Sequence, residues 1–382
     1  MAQGTAQVAL HTSGTRAQWA GFVLTGLLLL GSLWPARGVA AAAPPIPLPI
    51  KVVVVTMFEH GELEGDRPGE FQFWVERLPL PKMHAFPLGA FPLRSRADGV
   101  LGICVAGGVA NAAASIMALG LDPRFDLRRA YWLVAGIAGG DPQDTTLGSA
   151  VWARHVVDGD LLYEIDAREI PATWPYGMIP LGGERPAQSP RDLETGWVLD
   201  NVHFALNAEL AEWAYAQTRH VQIPDSPALE AGRAMYLGYP AALAPPAVML
   251  GDTLSSSTYW HGALLNRWAN DWVRLYAGSD AEFVTTNMED SGTLTGLERL
   301  ARQGLADLDR VMVLRTVSNF SVPPPGKSAA WSATADYPGN GRPALESAYQ
   351  VGREVVEALL AGWGEFRDHV PRVGAATQQT PQ

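Results

Sequence analysis

Residues 101–120 read Leu-Gly-Ile-Cys-Val-Ala-Gly-Gly-Val-Ala-Asn-Ala-Ala-Ala-Ser-Ile-Met-Ala-Leu-Gly. The first six form a continuous apolar run, the pattern of a strand buried on both faces. Gly107-Gly108 then opens a small-residue helix over 109–119, which Gly120 ends ahead of Asp122-Pro123. A buried strand feeding directly into a helix is the repeating unit of an α/β fold. The same unit recurs on either side. Upstream, Lys51-Val52-Val53-Val54-Val55-Thr56 is a β-branched run that predicts a first strand. Downstream, Tyr131-Trp132-Leu133-Val134-Ala135 predicts a third, closed by Gly136, Gly139 and Gly140, and residues 151–157 a fourth. Residues 171–190, rich in Pro, Gly and Trp, read as a long loop over one edge.

Helical spacing follows over 204–218, with Leu206, Leu210, Trp213 and Ala214 on one face. Further strands are expected at 247–250, ending at Gly251-Asp252, at 282–286 and at 310–317. Helices are expected at 264–276, 293–302 and 344–360. The alternation predicts one α/β domain over 51–365, with a mixed, mostly parallel central sheet flanked by helices. The polar end, 366–382, reads as a disordered tail.

The N-terminus has a different character. No acid precedes Glu59, and Arg16 leads into an apolar stretch over 20–34, followed by Ala40-Ala41-Ala42-Ala43. A basic start, a short apolar core and small residues spell a cleavable signal peptide over 1–43, with 44–50 as a Pro-rich extended spacer. The apolar stretch is shorter than the roughly 20 residues a spanning helix needs. An uncleaved membrane anchor is the alternative. The signal segment carries two arginines and no acid, so its loss moves the net charge from −11 to −13. The mature chain is then expected in a periplasm or secreted. An acidic chain without a basic run excludes nucleic acid as the natural partner, because phosphates need clustered Lys and Arg. One cysteine, Cys104, excludes an intramolecular disulfide and a Cys-rich zinc site.

Ligands of such sheets bind at the carboxyl ends of the strands. Glu59, His60, Glu62 and Glu64 follow the first strand, and Gly107, Gly108 and Asn111 the second. Gly136, Gly139, Gly140 and Asp141 follow the third. Later come Asp252 with Ser255 to Ser257, then Asn287-Met288-Glu289-Asp290, then Arg315, Ser318 and Asn319. The set is polar, acidic and glycine-rich, which suits a neutral, hydroxyl-rich ligand. Taken singly, each piece also has a bland reading as a turn, a cap or a core residue. Gly107-Gly108 is no phosphate loop, since no Gly-Lys-Ser/Thr follows it. The histidines show no metal-ligand spacing, so no metal and no cofactor is assigned. No Gly-x-Ser-x-Gly elbow supports a serine hydrolase.

In chain order, these pieces resemble the purine nucleoside permease family of bacteria and fungi over roughly residues 50–365. The closest pieces are Thr56-Met57-Phe58-Glu59, Gly251-Asp252 with Tyr259-Trp260-His261-Gly262, and Thr285-Thr286-Asn287-Met288-Glu289-Asp290-Ser291-Gly292. A wider resemblance, to nucleoside phosphorylases and nucleosidases, runs through 107–113, 135–140, 251–252, Met288-Glu289 and 315–319. It implies that Glu289 accepts hydrogen bonds from the ribose 2′- and 3′-hydroxyls, with Met288 packed on the sugar. A carboxylate has two oxygens for two vicinal hydroxyls, and charge-assisted bonds are the stronger kind. The resemblance also places Ser318 and Asn319 at the purine. Asn319 stands where many relatives that accept 6-aminopurines carry Asp, which implies inosine or guanosine over adenosine.

By the same resemblance, Glu59 or Glu62 positions an attacking water, and Tyr259 or Trp260 stacks on the base. Ile137 and Ala138 occupy the place of a phosphate-binding hydroxyl, which counts against phosphate as co-substrate. The expected function is purine nucleoside binding with cleavage of the N-glycosidic bond, by hydrolysis or phosphorolysis. The alternative is a non-catalytic binding component of nucleoside uptake, which needs a separate membrane transporter. A repurposed scaffold without nucleoside activity is the third reading. Relatives of this kind form homo-oligomers.

Overall fold

The computed structural model describes residues 46–186 and 201–374, all within the unit Pro45–Gln382. The expected signal peptide at 1–43, the start of the spacer, the end of the 171–190 loop and residues 375–382 lie outside the described residues. Seven strands carry the fold: β1 (Val52–Thr56), β2 (Val100–Cys104), β3 (Tyr131–Gly140), β4 (Ala150–Asp158), β5 (Val248–Ser255), β6 (Phe283–Asn287) and β7 (Val311–Phe320). Four helices matter most: α1 (Val109–Gly120), α2 (Ala263–Ala277), α3 (Asp290–Arg302) and α4 (Arg342–Ala361).

The valine run of β1 is buried on both faces. Val52 and Val54 pack in one cluster with Leu345, Val351 and Val355 of α4. Val53 and Val55 point the other way, into a cluster with Ala112, Ile116 and Leu119 of α1. A period of two with both faces covered explains the unbroken apolar sequence.

The sheet is mixed rather than mostly parallel. Its described pairings divide evenly, five parallel and five antiparallel. β3 pairs with β6, β6 with β5, β5 with β4, β4 with β7, and β7 with β3, which closes a five-strand ring. β1 and β2 extend from the ring through β3. Strand–helix alternation gives no sign of which strands run against the others, so the expected parallel majority fails.

One edge of β3 changes partner. It pairs with β1 up to Val134 and with β6 from Gly139. Residues 135–138 lie in the fork between them. The glycines expected to close this strand lie within it, so Gly136, Gly139 and Gly140 are strand residues and not loop residues. β5 and β7 likewise run past their expected ends, which places Ser318 and Asn319 inside β7.

Three more expectations change. Residues 203–205 pair antiparallel with β4, and the helix begins only at Ala208, after Asn207 caps it. Leu48-Pro49 of the spacer pairs in parallel with Phe125-Asp126. The start of the expected tail is held: the carbonyls of Phe366 and Arg367 accept from the Arg310 guanidinium, and Phe366 also accepts from Tyr131. Among the described residues, no helix is long and apolar enough to cross a membrane.

Candidate functional site

The fork in the sheet exposes backbone N–H groups that no strand takes up, and a carboxylate fills the gap. Glu70 accepts from Met57 N–H, just past the end of β1, and from Ile137 N–H of β3, both at 2.7 Å. It is 5% exposed. Burial pushes its pKa up to about 8, against the opposing pull of the Arg315 charge. Gly136 makes the approach possible. A Cβ there would stand 2.5 Å from Glu70 Oε1 and 2.9 Å from Arg315 Nη1, and would overlap the Met57 methyl.

Arg315, on β7, is 1% exposed. Its Nε donates to Asp290 at 3.1 Å and Nη2 forms a second, shorter bond to the same carboxylate. Nη1 donates to Ile137 O at 3.1 Å. Nη2 also reaches Glu289 Oε2 at 3.4 Å. Each of the three guanidinium nitrogens has at least one acceptor, which offsets the cost of burying the charge.

Glu289 precedes α3 and is 7% exposed. Oε1 accepts from Gly108 N–H at 3.4 Å and Oε2 from Met288 N–H at 3.2 Å. Burial raises its pKa, offset by Arg315. The start of α3 is organised by Asn287. Its Oδ1 accepts from the N–H groups of Glu289 and Asp290, while Nδ2 donates to Asp290 and Thr253. Gly292 lets α3 meet α1, since a Cβ there would overlap the Val109 carbonyl. Gly107 and Gly108 therefore face Glu289, and the positive φ of Gly108 (+93°) is a conformation few other residues adopt.

Four residues beyond Arg315 on β7 lies Asn319, about 13 Å further along a strand. Its Nδ2 donates to Tyr259 OH at 3.0 Å and its Oδ1 accepts from Ser318 at 2.9 Å. Gly139 sits beside it, with the place of a Cβ 3.5 Å from Asn319 Nδ2. Tyr259 is 41% exposed, so its ring is available.

The structure thus brings together Gly107, Gly108, Gly136, Met288 and Glu289 at one end, and Gly139, Tyr259, Ser318 and Asn319 at the other. Four expected residues do not join them. Glu59 accepts from the N–H groups of His60, Gly69, Phe71 and Gln72. Its oxygens are spent on closing the loop, not on a water. Glu62 is exposed in that loop. Trp260 is buried in an aromatic cluster against Trp268 and Phe283. Gly140 faces Thr145 and Val317. Glu70 is the residue that sequence reading missed. Its signal was an acid set directly before the aromatic-rich stretch Phe71-Gln72-Phe73-Trp74-Val75, at the far end of the loop from Glu59.

A purine nucleoside permease of Candida albicans is 33% identical over 262 residues, covering 68% of this chain and 63% of its own length. A probable purine nucleoside permease of Schizosaccharomyces pombe is 32% identical over 220 residues, 56% of this chain and 62% of its own. The chain thus spans less than two thirds of the length of these relatives. Among solved structures, a 5′-methylthioadenosine/S-adenosylhomocysteine nucleosidase from Neisseria meningitidis aligns with a TM-score of 0.47 at 15% identity, over 81% of this chain and 99% of that one. Residues 49–371 match the sequence family described as purine nucleoside permease, and the chain belongs to that family.

Proposed function

We propose that this chain binds a purine nucleoside along β7 and hydrolyses its N-glycosidic bond. The observation that carries the reading is the buried Glu70 carboxyl at the sheet fork, beside Arg315 and on the same side as Glu289. In this account Glu289 accepts from the ribose hydroxyls and Met288 packs on the sugar. Ser318 and Asn319 hold the purine edge, with Tyr259 against its face. The spacing of Arg315 and Asn319 suits a ligand whose sugar and base lie end to end.

Glu70 takes the role first expected of Glu59 or Glu62. Its ionised form accepts a proton from water as the oxygen attacks C1′ and the bond to N9 breaks. The pair in that bond leaves with the purine, which takes a proton from solvent. Asn319 supports departure by hydrogen bonding, since an amide supplies no proton at neutral pH. Water is favoured over phosphate because each nitrogen of Arg315 already donates, to Asp290, Ile137, Asn287 or Glu289.

Incubation with inosine, guanosine and adenosine, followed by chromatography, tests the proposal. Free base should appear equally with and without phosphate, fastest from the 6-oxopurines. Release only with phosphate would mean phosphorolysis. The names of the relatives favour a second reading, ligand binding in service of uptake through a separate membrane transporter. Saturable binding with no released base would select it. Export belongs to the same proposal: residues 1–43 act as a signal, and the mass of the mature chain should start near residue 43.

A further inference from the structure

Beyond Asn319 the structure opens into a second space. A cavity of about 290 Å³ is lined by Asn319 and by Tyr236, Phe320, Pro324, Trp331, Tyr337 and Pro338. Its inner wall is fixed. Tyr236 and Phe320 are buried, their rings 4.2 Å apart, and the Tyr236 hydroxyl is satisfied by Val322 O at 2.9 Å. Its outer wall is Trp331, 41% exposed on a one-turn helix that Ser328 caps. Tyr337 also lies against Tyr259, which holds the Asn319 amide. The cavity therefore starts at the residue that meets the purine edge and leads away from the sugar end.

We infer that the site takes purine nucleosides carrying an apolar group on the 6-substituent, and that this cavity holds that group. The inference rests on the proposed placement of the base at Asn319. A substituent on C6 must pass the amide, and the space behind it is mostly aromatic and aliphatic, with Ser332 and Asp336 as the polar part of its lining. An apolar cavity of roughly 150 Å³ is enough for benzene, so a benzyl or a branched five-carbon group fits with room. The inner wall of Tyr236 and Phe320 keeps its shape by its own packing, so on that side little ordering opposes binding.

The test compares N6-benzyladenosine with adenosine by calorimetry, each checked for released base. The pair differs only in the added group, whatever the preference of Asn319 between oxo and amino purines. N6-benzyladenosine is expected to bind about tenfold tighter or better, the worth of burying one aromatic ring. Trp331→Ala should remove most of that gain and leave adenosine unchanged. Ala335→Phe, which fills the cavity, should do the same by a different route. Adenosine binding with the benzyl compound excluded or no tighter overturns the inference and leaves the base placement standing. Failure of adenosine, inosine and N6-benzyladenosine alike overturns both.

Discussion

A carboxylate that accepts four backbone N–H groups has no lone pair to spare for a water, and Glu59 is in that state. Glu70, at the other end of the same loop, accepts two and keeps capacity. Both residues are acids beside apolar neighbours, so their sequence does not separate them. Only the folded loop does. The difference has a pH signature. Burial holds Glu70 neutral up to about pH 8, so the base form accumulates as pH rises through that value. The kcat/KM for nucleoside cleavage should climb towards pH 8 and level off above it. Glu70→Gln should abolish that limb along with turnover. A flat profile from pH 6 to 9 in an active protein would remove Glu70 from the chemistry. Met288-Glu289 and Ser318-Asn319 were singled out through the resemblance, and the structure places the first pair just past β6 and the second within β7. Trp260 was misread because an aromatic at a strand exit looks the same whether it faces a ligand or the core.

The elements were legible in proportion to how local their causes are. The valines of β1 and the small-residue helix after Gly107-Gly108 depend on neighbours in sequence, and both stand where expected. The extent of β3 does not. Its glycines look like a turn, yet two further strands pair alongside them and hold them extended. At Gly136 the glycine requirement comes from Met57, Glu70 and Arg315, which crowd the space where a side chain would be. The contact of α1 with α3 follows the same logic and places Glu289 against Gly108. Gly292→Ala would set a methyl against the backbone of Val109, which cannot rotate away. The expected cost is about 1–3 kcal/mol, read from urea unfolding. A loss of nucleoside affinity larger than the stability loss explains should accompany it, because Glu289 sits at the start of the displaced helix. Wild-type stability and affinity in that variant would show that the two helix ends do not position the carboxylate.

At the scale of the whole molecule, a closed ring of five strands joins segments more than a hundred residues apart, as when β7 returns to pair with both β3 and β4. No local pattern announces that closure, which is why a mostly parallel sheet was the natural expectation from strand–helix alternation. The chain ends tell a similar story. Phe366 packs edge-on against Trp213, and the Arg310 guanidinium, 4% exposed, finds two of its acceptors in the carbonyls that follow α4. Polar composition made this stretch look dispensable. Truncation after Glu365 should lower stability by about 2–4 kcal/mol, from lost burial and from acceptors withdrawn from a buried cation. An unchanged unfolding midpoint would return residues 366–374 to the status of a free tail.

Glu289 is the proposed acceptor for the ribose hydroxyls, and nucleoside cleavage depends on it. The decisive measurement is release of hypoxanthine from inosine in phosphate-free buffer, by the intact chain and by Glu289→Ala. Two charge-assisted hydrogen bonds are at stake, so the variant should lose about a hundredfold in kcat/KM, while its unfolding curve stays cooperative. Undiminished release by Glu289→Ala, or an intact chain that neither binds nor cleaves inosine, would contradict it.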